Sequence, residues 1–188
     1  MRVISGKFKG RKLFAPEGNS VRPTTDRIKE TLFNILSSKM DFNDIVVLDL
    51  FCGSGALGVE AISRGAEKTI FVDASSKSCK LTKDNLLHIC ATDDEYELYC
   101  VDYKFAIKKL IGKKFNLILA DPPYDLCIED DIVRLIETNN ILSDDGILVV
   151  EHSSSNSIIS NEFLQETRYC GNTALTFLSY NRRVTHNE

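Results

Sequence analysis

Apolar runs alternate with helix-period segments along most of this chain. Runs rich in Val, Ile, Leu and Phe recur near 45–50, 69–73, 96–101, 115–120 and 146–150, with helical stretches between them. Ser75–Ile89 and Ile128–Asn139 are the clearest of those helices. Such βα alternation predicts a parallel sheet with helices on both faces. An earlier helix is expected over about 25–38, with Ile28, Leu32, Ile35 and Leu36 on its apolar side. Thr24, Thr25 or Asp26 can cap it. Ahead of it, 3–6 and 10–14 read as a small hairpin that turns at Gly10, and 166–170 with 173–180 as a closing antiparallel pair. The organisation expected is an arm over 1–22 and one α/β domain over 23–188.

Ligands of a parallel sheet bind beyond the carboxyl ends of its strands, so strand-end residues are the first candidates for chemistry. The run Val46-Val47-Leu48-Asp49-Leu50 leads into Phe51-Cys52-Gly53-Ser54-Gly55-Ala56-Leu57-Gly58. Gly53, Gly55 and Gly58 allow a tight strand-to-helix turn and close approach of a ligand. Nicotinamide and flavin enzymes use similar glycines, so the loop alone leaves the ligand open. Asp49 narrows it, because a carboxylate before the loop repels a pyrophosphate and accepts from a cationic ammonium. Asp73 ends the second run and is placed for two ribose hydroxyls. Asp102 ends the third and can accept from an adenine amine. Each acid alone also reads as an ordinary cap. Together they describe a pocket for a nucleoside with a cationic amino-acid tail, which fits S-adenosylmethionine.

The fourth run ends in Asp121-Pro122-Pro123-Tyr124. Two prolines lack N–H groups and fix φ, so the strand stops and a stiff loop begins. The loop offers a carboxylate, a carbonyl and an aromatic face, which suit a flat ring bearing an amine. A stiff turn with a partly buried tyrosine is the plain alternative for these four residues taken alone.

The glycine loop with its later acids resembles a class I methyltransferase, and Asp-Pro-Pro-Tyr resembles its amino-methylating branch. Arg22-Pro23-Thr24-Thr25-Asp26-Arg27-Ile28-Lys29-Glu30-Thr31-Leu32-Phe33-Asn34-Ile35-Leu36 is similar to a more specific family, as are Ile4-Ser5-Gly6-Lys7-Phe8-Lys9-Gly10-Arg11-Lys12-Leu13 and Val149-Val150-Glu151-His152. That family is the bacterial 16S ribosomal RNA guanine-N2 methyltransferases, the RsmD family. The matching segments run in family order to about His152. The resemblance implies a Rossmann-like fold with a seven-stranded, mostly parallel sheet in the order 3-2-1-4-5-7-6, one strand antiparallel. It implies S-adenosyl-L-methionine as cofactor, held by Asp49, Phe51, Cys52, Gly53, Ser54, Gly55, Gly58, Asp73 and Asp102. Thr24 and Thr25 are expected near the methionine end. Asp121, Pro122, Pro123 and Tyr124 are the catalytic set, and rRNA within a small ribosomal subunit or its assembly intermediate is the expected partner.

Charge refines the picture. The net charge is −4, yet residues 1–40 hold nine Lys/Arg against three acids. A local basic patch, and not the net charge, marks phosphate binding. Arg2, Lys7, Lys9, Arg11, Lys12, Arg22, Arg27 and Lys29 are therefore expected to hold RNA; a merely solvated arm is the alternative. The six cysteines include no C-x-x-C pair, so a metal site or disulfide framework is not expected, and most read as small core residues. With no disulfide framework expected, a reducing cytoplasm is the default; no apolar run is long enough to span a membrane, and no obligate protein partner is evident in the sequence. His88, His152 and His186 are scattered. Glu151 and His152 can line the target pocket, cap a helix or face solvent. The competing functions are a DNA adenine-N6 methyltransferase, a protein-glutamine methyltransferase and a non-catalytic RNA-binding or assembly factor on the same fold.

Overall fold

The structure, a computed structural model, describes residues 1–16, 26–160 and 162–180. Helix α1 covers Asp26–Lys39, and the alternating units that follow are β1 Val46–Leu50, α2 Ala56–Arg64, β2 Lys68–Asp73, α3 Ser76–His88 and β3 Tyr96–Cys100. Then come α4 Tyr103–Lys109, β4 Phe115–Ala120, α5 Glu129–Asn139, β5 Leu142–Ser153, β6 Phe163–Cys170 and β7 Thr173–Tyr180. The sheet order is β3-β2-β1-β4-β5-β7-β6. β7 runs antiparallel to both neighbours and the other pairings are parallel, as the resemblance implied.

Strand residues alternate between two cores, as a pleat requires. Leu48, Leu50, Ile70, Val72, Ile118 and Val150 pack beneath α4 and α5. Val47, Leu117, Leu119 and Val149 pack beneath α1 and α2. Among the described residues no helix is long and apolar enough to cross a membrane.

Several expectations change. β5 is longer than 146–150, because Ser143-Asp144-Asp145-Gly146 reads as a turn but is strand, with a register shift against β4 between Phe115 and Leu117. The hairpin reduces to one antiparallel bridge, Arg2 to Lys12, around tight turns. Val3, Phe8 and Leu13 of this arm share a hydrophobic cluster with Val59 and Ile62 of α2 and Leu86 of α3. The carboxylate of Glu60 accepts from the backbone N–H groups of Ile4 (2.8 Å) and Ser5 (3.0 Å). The arm is thus fastened by a buried acid on α2 as well as by apolar packing. Cysteines are less internal than expected: only Cys52 and Cys79 are buried, while Cys90, Cys100 and Cys127 are exposed. Cys90 and Cys127 sit at positive φ in connecting turns, and Cys100 ends the sheet's outermost parallel strand.

Candidate active site

Register places the strand ends in one row. Leu50 lies opposite Val72 and Ala120, and Ala120 lies opposite Val150. Asp73, Asp121 and Glu151 each follow the row by one residue, and Asp49 precedes it by one.

The glycine loop turns inside this row. Phe51, Gly53 and Gly55 all have positive φ (62°, 56° and 75°). That conformation suits glycine and costs energy at Phe51. The Phe51 ring lies 5.2 Å from that of Tyr103, the first residue of α4. Gly58 is required by packing: an added Cβ would sit 2.3 Å from a ring carbon of Phe71. Above Gly53 the space is open, with the nearest atom 3.9 Å from such a Cβ. This is a backbone surface that a ligand can approach.

Backbone amides fix the acids. Asp49 is 1% exposed and accepts from Gly58 N (2.9 Å). Burial raises its pKa to about 8, opposed by the Gly58 N–H and reinforced by the charges of Asp121 and Asp73. Register sets all three acids within one residue of the same row of strand ends. Asp73 accepts from Gly53 N (2.9 Å) and from Ser75 N (2.8 Å), so it joins β2, the glycine loop and the start of α3. Asp102 stands two residues beyond β3 and caps α4, accepting from Lys104 N at 2.8 Å. One carboxylate oxygen thus serves as the cap that the sequence allowed.

Two loop side chains turn inward. The Cys52 thiol is buried beside Thr82 Oγ1 (3.5 Å), and burial pushes its pKa up. Ser54 Oγ lies 3.8 Å from Met1 Sδ. Sequence reasoning missed the helix side chains that brace the loop. Thr82 donates to Gly53 O (3.0 Å), and Asn85 donates to Ser54 O (2.8 Å) and to Phe14 O (3.1 Å) while accepting from Phe14 N (2.7 Å). The available signal was two polar residues on the buried face of α3, a placement that buried polar groups keep only when hydrogen-bonded.

On the other side of the row, Pro122 is buried, Pro123 is exposed and Tyr124 opens a short 3-10 turn, Tyr124–Leu126. The Tyr124 hydroxyl donates to Glu151 Oε1 (3.0 Å) and lies 3.1 Å from Thr173 Oγ1. Glu151 and His152 are both buried, so neither caps a helix nor faces solvent. His152 is held between Ser153 O (2.9 Å) and Thr176 Oγ1 (2.8 Å). A concavity of about 620 Å³ lies elsewhere, bounded by Gly6, the end of α1 and Arg64, and it takes in none of these strand ends.

The basic residues divide. Lys29 is corrected outright: it is 0% exposed, donates to Arg2 O (2.7 Å) and stands 3.6 Å from Glu60, so it cannot meet an RNA phosphate. Burial pulls its pKa down against the pull of Glu60. Its position on the inner side of α1, among Ile28 and Leu32, is the physical reason. Lys7 pairs with Glu95, and Arg11 donates to Ile89 O at 2.6 Å. Arg2, Lys9, Lys12 and Arg27 are exposed. Arg22, Thr24, Thr25 and the histidine at 186 lie outside the described residues.

A doubly wound sheet with a glycine turn after β1, an acid at the end of β2 and an acid-Pro-Pro-aromatic loop after β4 is the arrangement of a class I methyltransferase. Comparison with known proteins agrees. Residues 1–179 match the family described as "Conserved hypothetical protein 95", and the chain belongs to that family. It is 42% identical over 154 residues to "Putative rRNA methyltransferase YlbH" of Bacillus subtilis (strain 168), covering 81% of this chain and 82% of that one. It is 34% identical over 158 residues to "Ribosomal RNA small subunit methyltransferase D" of Escherichia coli (strain K12), covering 84% and 77%. The solved Escherichia coli structure described as "Putative methyltransferase yhhF" superposes with a TM-score of 0.82 at 29% identity, over 96% of this chain and 98% of that one.

Proposed function

We propose that this chain transfers a methyl group from S-adenosylmethionine to the exocyclic N2 amine of a guanine in small-subunit 16S rRNA, in the cytoplasm. The observation that carries the reading is the stiff Asp121–Tyr124 loop. It follows Ala120, which pairs with Leu50 at the start of the glycine turn, and Asp73 stands at the same level on the other side of β1. The names of the relatives at 34–42% identity support the RNA class of the substrate.

The residues present fit the cofactor. Gly53 leaves its backbone open to a ligand; in this reading Asp73, held by Gly53 N, accepts from the ribose hydroxyls, and Asp102, held by Lys104 N, accepts from the adenine amine. Asp49 offers a buried carboxylate to a cationic tail. When bound, S-adenosylmethionine supplies a methyl carbon whose bond to a positively charged sulfur breaks as the new N–C bond forms.

The chain's own residues do the rest. A guanine amine is a poor nucleophile because its lone pair is delocalised into the ring. Asp121 and the carbonyl of Pro122 accept its two N–H groups and turn that lone pair toward the methyl carbon. Their acceptance strengthens as the nitrogen becomes positive, so it lowers the barrier and does more than bind. The amine proton leaves to Asp121 or to water. The ring of Tyr124 stacks on the base, a contact typically worth about 1–3 kcal/mol. A paired or stacked base is first swung out at a cost of a few kcal/mol. Exposed Arg2, Lys9, Lys12 and Arg27 hold flanking phosphates, with Lys7 and Arg11 joining only by sharing or leaving their internal partners.

Labelled methyl transfer tests the reading. Label should enter naked rRNA or small subunits and not DNA, and Asp121→Ala should stop it. Label in DNA alone, or full transfer by Asp121→Ala, overturns it.

A further inference from the structure

Two prolines set the backbone up to Pro123, but they do not set the Tyr124 ring. A side chain on a partly exposed loop turn is free to change rotamer unless its far end is held. Here it is held. The hydroxyl is 3.0 Å from Glu151 Oε1 and 3.1 Å from Thr173 Oγ1, and these partners are 7% and 0% exposed. Glu151 belongs to β5 and Thr173 opens β7, next to one another at the edge: Ser153 pairs with Thr173 and Glu151 with Leu175. The loop holds one end of the ring and two buried strand residues hold the other, so the ring's long axis is fixed before any base arrives.

We propose that Glu151 and Thr173 are positioning residues that hold the Tyr124 ring as a preformed platform for the target base. The inference rests on the reading that Tyr124 stacks on that base. Glu151 acts as a hydrogen-bond acceptor, and Thr173 supports the same hydroxyl. Neither touches the amine. An unheld ring must be ordered at every turnover. It also lets the base drift from the in-line position, where small displacements are costly. The loss therefore appears in the methylation step. RNA affinity depends chiefly on phosphate contacts and is left nearly intact.

The experiment is single-turnover methylation of rRNA at saturating RNA, with RNA and cofactor affinities measured separately. Tyr124→Phe, which keeps the ring and removes only the hydroxyl, should slow methylation about tenfold. Both affinities should stay within about twofold. Glu151→Ala should match it, and Glu151→Gln, which keeps an acceptor oxygen in place, should restore most of the rate. Combining Tyr124→Phe with Glu151→Ala should add no loss beyond that of Tyr124→Phe, because removing the hydroxyl already removes the contact to Glu151. If Glu151→Ala fails to fold, Tyr124→Phe with Thr173→Val closes the same cycle.

Losses that multiply in the double variant overturn the proposal, as does a Glu151→Gln variant as slow as Glu151→Ala. Full activity of Tyr124→Phe beside an inactive Tyr124→Ala overturns the platform support alone and leaves the stacking reading standing. Full activity of Tyr124→Ala removes the stacking reading beneath it.

Discussion

On the β1–β2 side of the sheet edge, carboxylates are fixed by backbone amides: Asp49 by Gly58, and Asp73 by Gly53 and Ser75. On the β4–β5 side the tyrosine is fixed by side chains drawn from two other strands, Glu151 and Thr173. The first arrangement depends on chain conformation, which local glycines dictate. The second depends on tertiary register between segments that lie far apart in sequence. The cofactor half of such a site can therefore be read from a short motif, whereas the target half comes together only when the strands pair.

Substitutions on each side should separate binding from chemistry. The largest effect is expected at Asp121. Asp121→Ala should lower the methylation rate about a hundred- to a thousandfold or more while cofactor affinity stays within a few-fold. Rapid-quench transfer and calorimetry read the two quantities, and equal loss of both would place Asp121 on the cofactor side. Next comes Lys29, whose partner Glu60 also fastens the arm. Breaking a buried ion pair costs about 3–5 kcal/mol, so Lys29→Ala should lower the denaturation midpoint strongly. Exposed Lys12→Ala should leave it within about 0.5 kcal/mol.

Gly58→Ala should cost about 1–3 kcal/mol, since the new Cβ meets the Phe71 ring. It should also weaken cofactor binding by moving the amide that holds Asp49. Thermal unfolding with and without cofactor separates the two effects.

The smallest expected effect is a pH dependence. The Asp49 carboxyl stays protonated up to about 8 in the free protein, against 3.8 when unfolded. Its contribution to stability therefore falls as pH rises between those values and levels off above about 8. A cationic donor favours the ionised form. Between about pH 6 and about pH 7 its affinity should rise with pH, by at most about tenfold per unit, with release of a proton. Asp49→Asn should remove the slope in a calorimetric titration. A wild-type affinity that does not change over this interval contradicts the role of Asp49.

β1, β2 and β4 were legible because each is a mainly apolar run with an acid at or beside its end; the mixed run of β3 was legible by its place in the alternation and by Asp102 after it. The glycine turn and the proline pair were legible because each fixes φ locally. What escaped was set by burial and register. Lys29 counted as a surface charge because the sequence does not show which side of α1 meets the arm. Thr82, Asn85 and Glu60 lie in helices where no motif singles them out, and only packing turns them onto backbone groups. Thr173 gained a role only when β7 came to lie beside β5. Asp102 was legible twice over, as ligand and as cap; the structure shows it capping α4, and its part in cofactor binding belongs to the proposal.

The central claim is that the two halves of this edge bring a donor methyl and a guanine amine together. The most direct measurement is mass spectrometry of nucleosides from small-subunit rRNA after incubation with the purified protein and isotopically labelled S-adenosylmethionine. The account predicts labelled N2-methylguanosine, absent when Asp121 is replaced by Ala. Label appearing on adenine, or on no nucleoside at all, would contradict it.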